Sequence, residues 1–467
     1  MDAVGATGEQ AAVGRGRVLR WLLAAALATA VSVAFADSSI VVLALPDLYV
    51  AFRTSIQGIA WVITGYNVVV AVVAIALVPL VSRVSLVWLT RAGIVLFLGA
   101  SIGCALAGDL TTLIAVRLVQ GLGAALFLAG SLPLLGSLLG SRGRGTATWL
   151  LAGTLGAALG PALGGVLTEL FDWRAIFVAQ APVAGLALLG TLGAHGASLA
   201  GERHEGRLRE TGWGNLGLFF VFGALVGALF LGVVLVITVW GYSPIAGAGI
   251  VSALPAATIL VRPIASRLWP AACAAGGAVL LAAGLAALAL LPAASPVYAA
   301  LALALCGAGL GLAVPPFSAS ATTERAGLVR SATFSIGVRH LGLVLALALL
   351  APLLSHDLDA AGQRASLTAT AVVLDGELPL TKKIPLALDM RGLFDAAQQG
   401  EVPDLDAPFE AQGAATDERV AQVRDDLTGT IEASITRGFR WSFLVSALLA
   451  LLAAPVALGL LRRREER

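Results

Sequence analysis

Asp37 is the only carboxylate that lies well inside one of the N-terminal apolar stretches of this sequence, within Ala36–Pro46. Burial in a low-dielectric environment disfavours the charged form of a carboxyl group, so Asp37 is suited to take up and release protons as its surroundings change. Arg117, Arg339 and His340 also lie within apolar stretches. A buried arginine binds an anion or pairs with an acid, and a buried histidine exchanges protons near neutral pH.

Each of these polar residues also has a purely structural interpretation. Asp37 would be a hydrogen-bonded group at a helix break, together with the two serines that follow it. Arg117 would be an anchor whose long side chain reaches the membrane surface, and Arg339 with His340 would be a structural hydrogen-bonding pair. The sequence leaves both interpretations open.

Further polar residues lie in the same apolar stretches. Gln120 shares a helical face with Arg117, three residues earlier, and Tyr66 and Asn67 lie deep inside the second stretch. Polar side chains at this depth are typical of residues that line a water-filled cavity. We therefore predict a substrate cavity lined by Tyr66, Asn67, Gln120, Arg339 and His340.

The composition indicates that these stretches cross a lipid bilayer. Of the 467 residues, 58% are hydrophobic and only 12% are charged, and the mean hydropathy is +0.91. A helix needs about 20 apolar residues to cross the hydrocarbon. Twelve such spans, numbered one to twelve in chain order, are predicted at 18–45, 58–81, 87–107, 111–139, 146–169, 174–194, 213–239, 246–266, 271–292, 297–319, 331–354 and 439–461.

The arginines predict the orientation of the spans. Positively charged loops stay in the cytoplasm, and the arginines before span one, in alternate loops and at the C-terminus fall on one side. We therefore predict a multi-pass protein of a bacterial-type inner membrane with both termini in the cytoplasm. Residues 355–438 then lie outside the cytoplasm, and they are acidic, with 15 Asp and Glu against 7 Lys and Arg.

Two short matches indicate an internal repeat. Pro79–Arg83 after span two resembles Pro263–Arg267 after span eight, and Thr146–Thr148 resembles Ser331–Thr333, with offsets of 184 and 185 residues. The offsets predict an all-α protein of two pseudo-symmetric six-helix halves with a substrate site between them. The predicted divisions are an N-terminal half 1–194, a cytoplasmic linker 195–212, and a C-terminal half 213–467 that carries 355–438 as an insert.

The N-terminus permits one alternative. Basic residues, an apolar run and Ala34–Ala36 just before Asp37 resemble a signal peptide with its cleavage site. Cleavage would leave eleven spans, whereas two matching six-helix halves require span one to be retained.

Span five contains a run of small residues, Gly153–Gly165. Four glycines three or four residues apart form a smooth stripe that another helix can approach closely. These are Gly153, Gly156, Gly160 and Gly164, and Gly165 follows them. Pro161 removes one backbone donor and permits a bend. The stripe is explained either by close helix packing or by a flexible contact that controls leakage and the direction of transport.

These segments resemble the drug:proton antiporter branch of the major facilitator superfamily, which is usually built from 14 helices. Asp37–Pro46 resembles its span-one motif, Arg117–Ala125 the superfamily's span-four motif, and Gly153–Gly165 the span-five antiporter motif, which is the most specific. Asp172–Phe177 and Arg339–Gly342 resemble a segment that opens span six and a late motif of the branch. The resemblance implies export of drugs, lipids or other amphiphiles driven by proton entry, with Asp37 and Arg117 as the proton-handling positions.

The sequence departs from this family in two respects. The cytoplasmic loop motif retains Arg83, with Arg267 as its repeat, but Ser82 replaces the usual acid, so we expect a weak or absent charge latch. No additional pair of helices is predicted in the link 195–212, which makes this a twelve-span version.

Residues 355–438 are too long for a simple connection and too polar for lipid. Ala365–Leu374 has β-propensity, Asp375-Gly376 signals a turn, and Glu377–Leu380 is predicted to return as a short strand. Leu386–Gln398 and Thr416–Ile435 have helical spacing. The segment is either a solvated cap or a lid or docking surface for a cell-envelope partner, and its charge favours cationic ligands at the exit.

The sequence thus predicts a proton-coupled secondary transporter that exports an amphiphilic small molecule, drug-like or lipid, by alternating access. The alternatives are uptake or facilitated transport by the same fold, and a receptor or assembly platform acting through 355–438. No Ser/His/Asp, metal-ligand or phosphate-loop constellation is evident, so we expect no enzymatic activity, metal or cofactor. The expected partners are the substrate, protons and membrane lipids, and no nucleic acid.

Overall fold

The structure of the protein is a computed structural model. It describes residues 3–191, 208–323, 326–375, 378–397, 401–414 and 417–460, and within these ranges every regular element is a helix. Most of the predicted linker 195–212 lies outside the described residues.

Twelve helical segments of the described chain correspond to the twelve predicted spans. Span five consists of Arg142–Gly156 and Leu159–Leu170, inclined by 43°, and span six is the shorter apolar helix Arg174–Gly190. The other ten are long and apolar enough to cross a membrane: Gly16–Phe52, Ile56–Leu77, Leu86–Ala105, Leu110–Leu138, Leu208–Val239, Pro244–Ala265, Pro270–Ala289, Pro296–Ala321, Leu328–Asp375 and Glu418–Val456. The prediction of an all-α membrane protein is confirmed.

Side-chain caps begin several spans at the tight turns. Ser55, Ser85 and Asp109 each accept a hydrogen bond from the backbone N–H three residues later. Ser141 and Ser243 do the same for spans five and eight. These caps satisfy donors at the helix ends that lipid could not satisfy.

Proline interrupts spans one and five, two of the spans that carry the predicted motifs. Span one narrows to a 3₁₀-helix at Val41–Ala44, just before Pro46, and then continues as Leu45–Phe52. The bend of span five falls between its two segments, one turn before Pro161. In both places the missing proline N–H and the steric demand of its ring disturb the preceding turn of the helix.

The two halves of the molecule meet along two seams. Span two packs against span eleven, where Gly337 comes close to Ala71 and Ile75. Span five packs against the first segment of span eight, Pro244–Val251. At Gly165 the two helices are so close that a Cβ atom would overlap Pro244 and Ala248. These pairings are equivalent under a repeat that relates span two to eight and span five to eleven.

The insert (residues 355–438) is continuous with the spans on either side of it. Span eleven extends as a single helix to Asp375, and Glu418–Gly438 leads directly into Arg440–Val456. Leu380–Ala396 and Asp406–Ala411 lie between them. The buried side chains of the insert belong to the same apolar core as the spans, and they include Leu358, Ala365, Ala369, Val373, Leu427, Ile431 and Ile435.

The predicted pair of short strands in the insert is wrong. Ala365–Leu374 lies within the long helix of span eleven, and Leu380 begins the next helix, while Gly376 and Glu377 lie outside the described residues. Ala365, Ala369 and Val373 recur every four residues and are fully buried. Helical packing of this face therefore outweighs the local β-propensity. The two helices predicted further along are confirmed as Leu380–Ala396 and Glu418–Gly438.

An ion pair joins two helices of the insert. Lys382 Nζ donates a hydrogen bond of 2.8 Å to Asp417 Oδ2, which lowers the pKa of Asp417 from its ordinary value of 3.8. The stabilisation is fully present above the unfolded-state pKa and is lost as the pH falls through the lower folded-state pKa. We expect protection of the amides in Leu380–Ala396 from hydrogen exchange to decrease below about pH 4.

Asp417→Asn removes this pH dependence and weakens protection already at neutral pH. Asp425→Asn is the matched control, because Asp425 pairs with the adjacent Arg424 on the exposed face of the same helix. Equal protection factors in wild type and Asp417→Asn across this pH range would contradict the assigned role of the ion pair.

Candidate functional site

Asp37 and Arg117 form a fully buried ion pair in the N-terminal half. Arg117 Nη1 lies 2.6 Å from Asp37 Oδ2, and neither side chain is exposed. Arg117 Nε also donates to the carbonyl of Val62 at 3.0 Å, and Gln180 Nε2 donates to Asp37 Oδ1 at 2.9 Å. Complete burial excludes the interpretation of Arg117 as an anchor at the membrane surface.

Amides and a hydroxyl extend this ion pair into a network, which we call the polar cluster: Asp37, Ser101, Arg117, Gln120 and Gln180. Gln120 Oε1 accepts from Arg117 Nη1 at 2.7 Å, while its Nε2 donates to Gln180 Oε1 at 2.8 Å and to Ser101 Oγ at 2.9 Å. The cluster connects spans one, three, four and six. Hydrogen bonds from four spans therefore fix the position of the buried Asp37–Arg117 ion pair.

Sequence reasoning missed Gln180 and Ser101. Gln180 is an isolated amide inside the apolar helix Arg174–Gly190, the same signal that drew attention to Asn67.

Tyr66 and Gln120 lie around Arg117 and not in the cavity wall, where they were predicted. The Arg117 guanidinium carbon is 4.4 Å from the centre of the Tyr66 ring, a cation–π contact, and Tyr66 Oη donates to the carbonyl of Ala34 at 3.1 Å. Phe177 covers Arg117 at 5.8 Å. Helical periodicity correctly predicts which face of a span points into the bundle. It does not predict whether that face contacts another helix or lines the cavity.

A cavity lies between the two halves, with about 170 Å³ of space accessible to water-sized molecules. Apolar side chains form most of its wall, among them Phe35, Val42, Phe222, Leu254 and Leu343. The polar residues of the wall are Ser38, Ser39, Asn67, Thr154, Thr258, Arg262, Ser318, Arg339 and His340. The predicted cavity residues Asn67, Arg339 and His340 are therefore brought together here.

Asn67 connects the two halves and links the cavity to the polar cluster. Its Oδ1 accepts from Ser38 Oγ at 3.1 Å and lies 2.6 Å from His340 Nδ1, while its Nδ2 donates to the carbonyl of Ile63. Because Nδ2 is the donor end of the amide, Oδ1 is an acceptor and His340 carries its hydrogen on Nδ1. Ser38 directly follows Asp37 in the chain, so the hydrogen bonds of Asn67 begin at the residue next to the ion pair.

Asn67→Ala is expected to cost about 1–3 kcal/mol, because it leaves the buried His340 Nδ1–H without its acceptor. The measurement is unfolding in mixed detergent–SDS micelles. Asn215→Ala is the matched control, since the buried Asn215 amide donates only to Thr211 of its own helix. Loss of stability in the control alone, or in neither variant, would contradict the assigned bridge.

The glycine stripe of span five faces span one of the same half. Gly156 and Gly160 abut the Ser32 carbonyl and the Ser39 hydroxyl, and Gly164 lies against the Ile40 carbonyl. Gly165 instead faces Pro244 and Ala248 of the other half. Close helix packing therefore explains the stripe itself, and the residue that follows it forms the contact between halves.

The loop-motif arginines are exposed. Arg83 follows span two and Arg267 follows span eight, both at solvent-accessible turns. Within the described parts of the chain neither has an ion-pair partner. Within the described residues, no other acid therefore takes the place of the family's acidic residue, which Ser82 replaces here.

Comparison with known sequences gives the family. The sequence profile described as the Major Facilitator Superfamily matches residues 27–347. The chain therefore belongs to the Major Facilitator Superfamily, whose members are secondary transporters that alternate access to a site between two halves.

Two known proteins are similar to part of this chain. The chain is similar to the drug efflux pump JefA of Mycobacterium tuberculosis, with 34% identity over 34% of this chain and 32% of that protein. It is also similar to the methylenomycin A resistance protein of Bacillus subtilis, with 37% identity over 33% of this chain and 34% of that protein. The matches thus span about a third of each relative's length.

Two solved structures share the fold. A bacterial homologue of the human lysosomal transporter Spinster, in an inward-facing occupied conformation, has a TM-score of 0.65 and 15% identity over 95% of this chain and 97% of that chain. A D-xylose-proton symporter has a TM-score of 0.55 and 15% identity over 70% of this chain and 89% of that chain.

Proposed function

We propose that this protein exports an amphiphilic small molecule across the inner membrane in exchange for protons. The observation that carries the proposal is the buried Asp37–Arg117 ion pair, which lies one residue from the wall of an apolar cavity between the halves. Relatives named as a drug efflux pump and a methylenomycin A resistance protein support export of a small molecule, and the apolar wall of the cavity supports an amphiphilic substrate.

Proton binding acts on the ion pair. A proton on Asp37 removes the negative charge that holds Arg117, so the Arg117 side chain is freed to seek other acceptors of the polar cluster. Ser38 follows Asp37 directly and hydrogen-bonds Asn67, which contacts His340 of the other half. The charge state of Asp37 is thus coupled to the contact between the halves, which is the element that must move in alternating access.

The two halves are in contact on the side of the molecule that carries the insert. On the side of the insert, a continuous apolar core includes Leu43 and Leu48 of one half and Val239 of the other, and Glu169 Oε2 accepts from the Ile245 N–H at 3.2 Å. The cavity is therefore closed toward the insert. With the orientation predicted from the arginines, this closed side is extracytoplasmic.

The test is transport in proteoliposomes under an imposed pH gradient. A lipophilic fluorescent probe should move against its own gradient when protons flow in the opposite direction, and a protonophore should abolish this movement. Probe movement that is independent of the pH gradient would contradict proton exchange and favour facilitated transport.

A second candidate rests on the insert. Leu380, Ile384 and Leu388 are exposed and stand four residues apart on one helix, which forms an apolar line that a cell-envelope partner could cover. A platform function predicts that deletion of the insert abolishes activity while Asp37→Asn has no effect. The export function predicts that Asp37→Asn alone abolishes activity.

A further inference from the structure

Arg339 is a buried cation whose hydrogen-bonding capacity is only partly used. It lies in span eleven, is 8% exposed and lines the cavity. Nη2 donates to Ser318 Oγ at 2.8 Å, the guanidinium carbon lies 5.3 Å from the centre of the Phe222 ring, and Nε has no hydrogen-bond partner. No carboxylate of the described chain forms an ion pair with it.

The cavity wall offers this cation no compensating charge. Its described lining contains Arg262 and Arg339 but no aspartate or glutamate. Asp37, the carboxylate of the polar cluster, is paired with Arg117 and is not part of the lining. His340, the neighbour of Arg339, donates from Nδ1 to Asn67 and supplies no negative charge.

A buried charge without a partner is costly in an apolar, membrane-embedded site. Such a charge is retained where a ligand or partner compensates it, as in substrate and ion pathways. The planar guanidinium fits the oxygens of a carboxylate, phosphate or sulfate group, and the unused Nε–H is a donor of this fork. The Ser318 hydroxyl accepts from Arg339, so its own hydrogen is a second donor for a ligand oxygen.

We propose that the cavity binds amphiphiles with an anionic head group, which Arg339 and Ser318 hold while the apolar tail lies along the remaining wall. This inference rests on the proposed export function and names the substrate class of that same site. It differs from the preference for cationic ligands predicted from the acidic insert. The insert's net negative charge then repels a released anion and disfavours its return.

Binding of a matched series of probes to the full-length protein in nanodiscs tests this site. The probes are a dansyl-labelled long-chain fatty acid at a pH where it is ionised, its methyl ester, and the trimethylammonium analogue with the same chain. Wild type should bind the acid at least about tenfold more tightly than the ester, which corresponds to about 1.4 kcal/mol. The trimethylammonium probe should bind most weakly.

Variants then locate the preference. Arg339→Gln should equalise the affinities for acid and ester, Arg339→Lys should retain part of the preference, and Ser318→Ala should reduce it. Arg174→Gln is the matched control, because Arg174 is about 43% exposed beside Asp172 and lies outside the cavity. Equal affinities of wild type for acid and ester, or an unchanged preference in Arg339→Gln, would overturn the inference. The wild-type comparison decides the question even if Arg339→Gln does not fold.

Failure of this inference is distinguishable from failure of the export function. Proton-driven movement of the acid probe at an unchanged rate in Arg339→Gln would refute the anion site and leave proton-coupled export standing. Selective, Arg339-dependent binding of the acid without any proton-driven movement would support the site and refute export.

Discussion

Asp37→Asn is expected to lower the free energy of unfolding by about 3–5 kcal/mol, because it leaves the Arg117 charge buried without a carboxylate. Arg117→Gln should cost less, because Asp37 can bind a proton and become neutral, whereas arginine stays charged. The double variant Asp37→Asn/Arg117→Gln should recover most of the loss, since replacing both members of a buried ion pair is often nearly neutral.

Unfolding in mixed detergent–SDS micelles measures all three variants as a double-mutant cycle. Asp172→Asn is a suitable control, because the Asp172 side chain is about half exposed and its contact with Arg174 is 3.7 Å long. Additive losses in the double variant would mean that the two residues do not act as a pair.

Gly165→Leu is expected to open the side of the molecule that carries the insert. The new side chain would overlap Pro244 and Ala248 of the other half, which are close only while this side is closed. Overpacking costs about 1–3 kcal/mol, and when it acts on one state alone it shifts the ratio of open to closed molecules about 5- to 150-fold.

The neighbouring glycine provides the control for this experiment. Gly164 faces Ile40 of its own half, so Gly164→Leu should lower stability without changing the distance between halves. Spin labels on Phe171→Cys and Ile245→Cys, in a background without the native cysteines, report that distance by pulsed electron paramagnetic resonance. A longer distance in Gly164→Leu than in Gly165→Leu would contradict the assigned contacts.

The membrane architecture could be predicted because lipid imposes it on the sequence. Apolar runs long enough to cross the hydrocarbon located all twelve spans, and proline and serine marked their breaks and turns. Asp37 and Arg117 were recognisable because charge inside a span is costly and needs a partner. Their direct pairing was not predicted, since the sequence gives the depth of a residue along its own span but not the rotation of neighbouring spans.

The insert shows where local sequence patterns fail. Ala365–Leu374 has β-propensity, but its buried face at every fourth residue becomes evident only once the long helix of span eleven is seen to continue beyond the membrane. The prediction that Tyr66 lines the cavity was wrong because the sequence does not give the rotation of its span relative to the neighbouring spans. Tyr66 lies deep in its span as predicted, but its ring covers Arg117 and not the cavity.

Substrate-evoked proton movement in proteoliposomes tests the central claim most directly. A pH-sensitive dye inside the vesicles reports protons when amphiphiles of each charge class are added, with protein-free vesicles correcting for protons that the amphiphiles carry themselves. Wild type should respond, whereas Asp37→Asn and the better-folded Asp37→Asn/Arg117→Gln should bind the probe without moving protons. Equal proton movement in wild type and both variants would contradict coupling through Asp37.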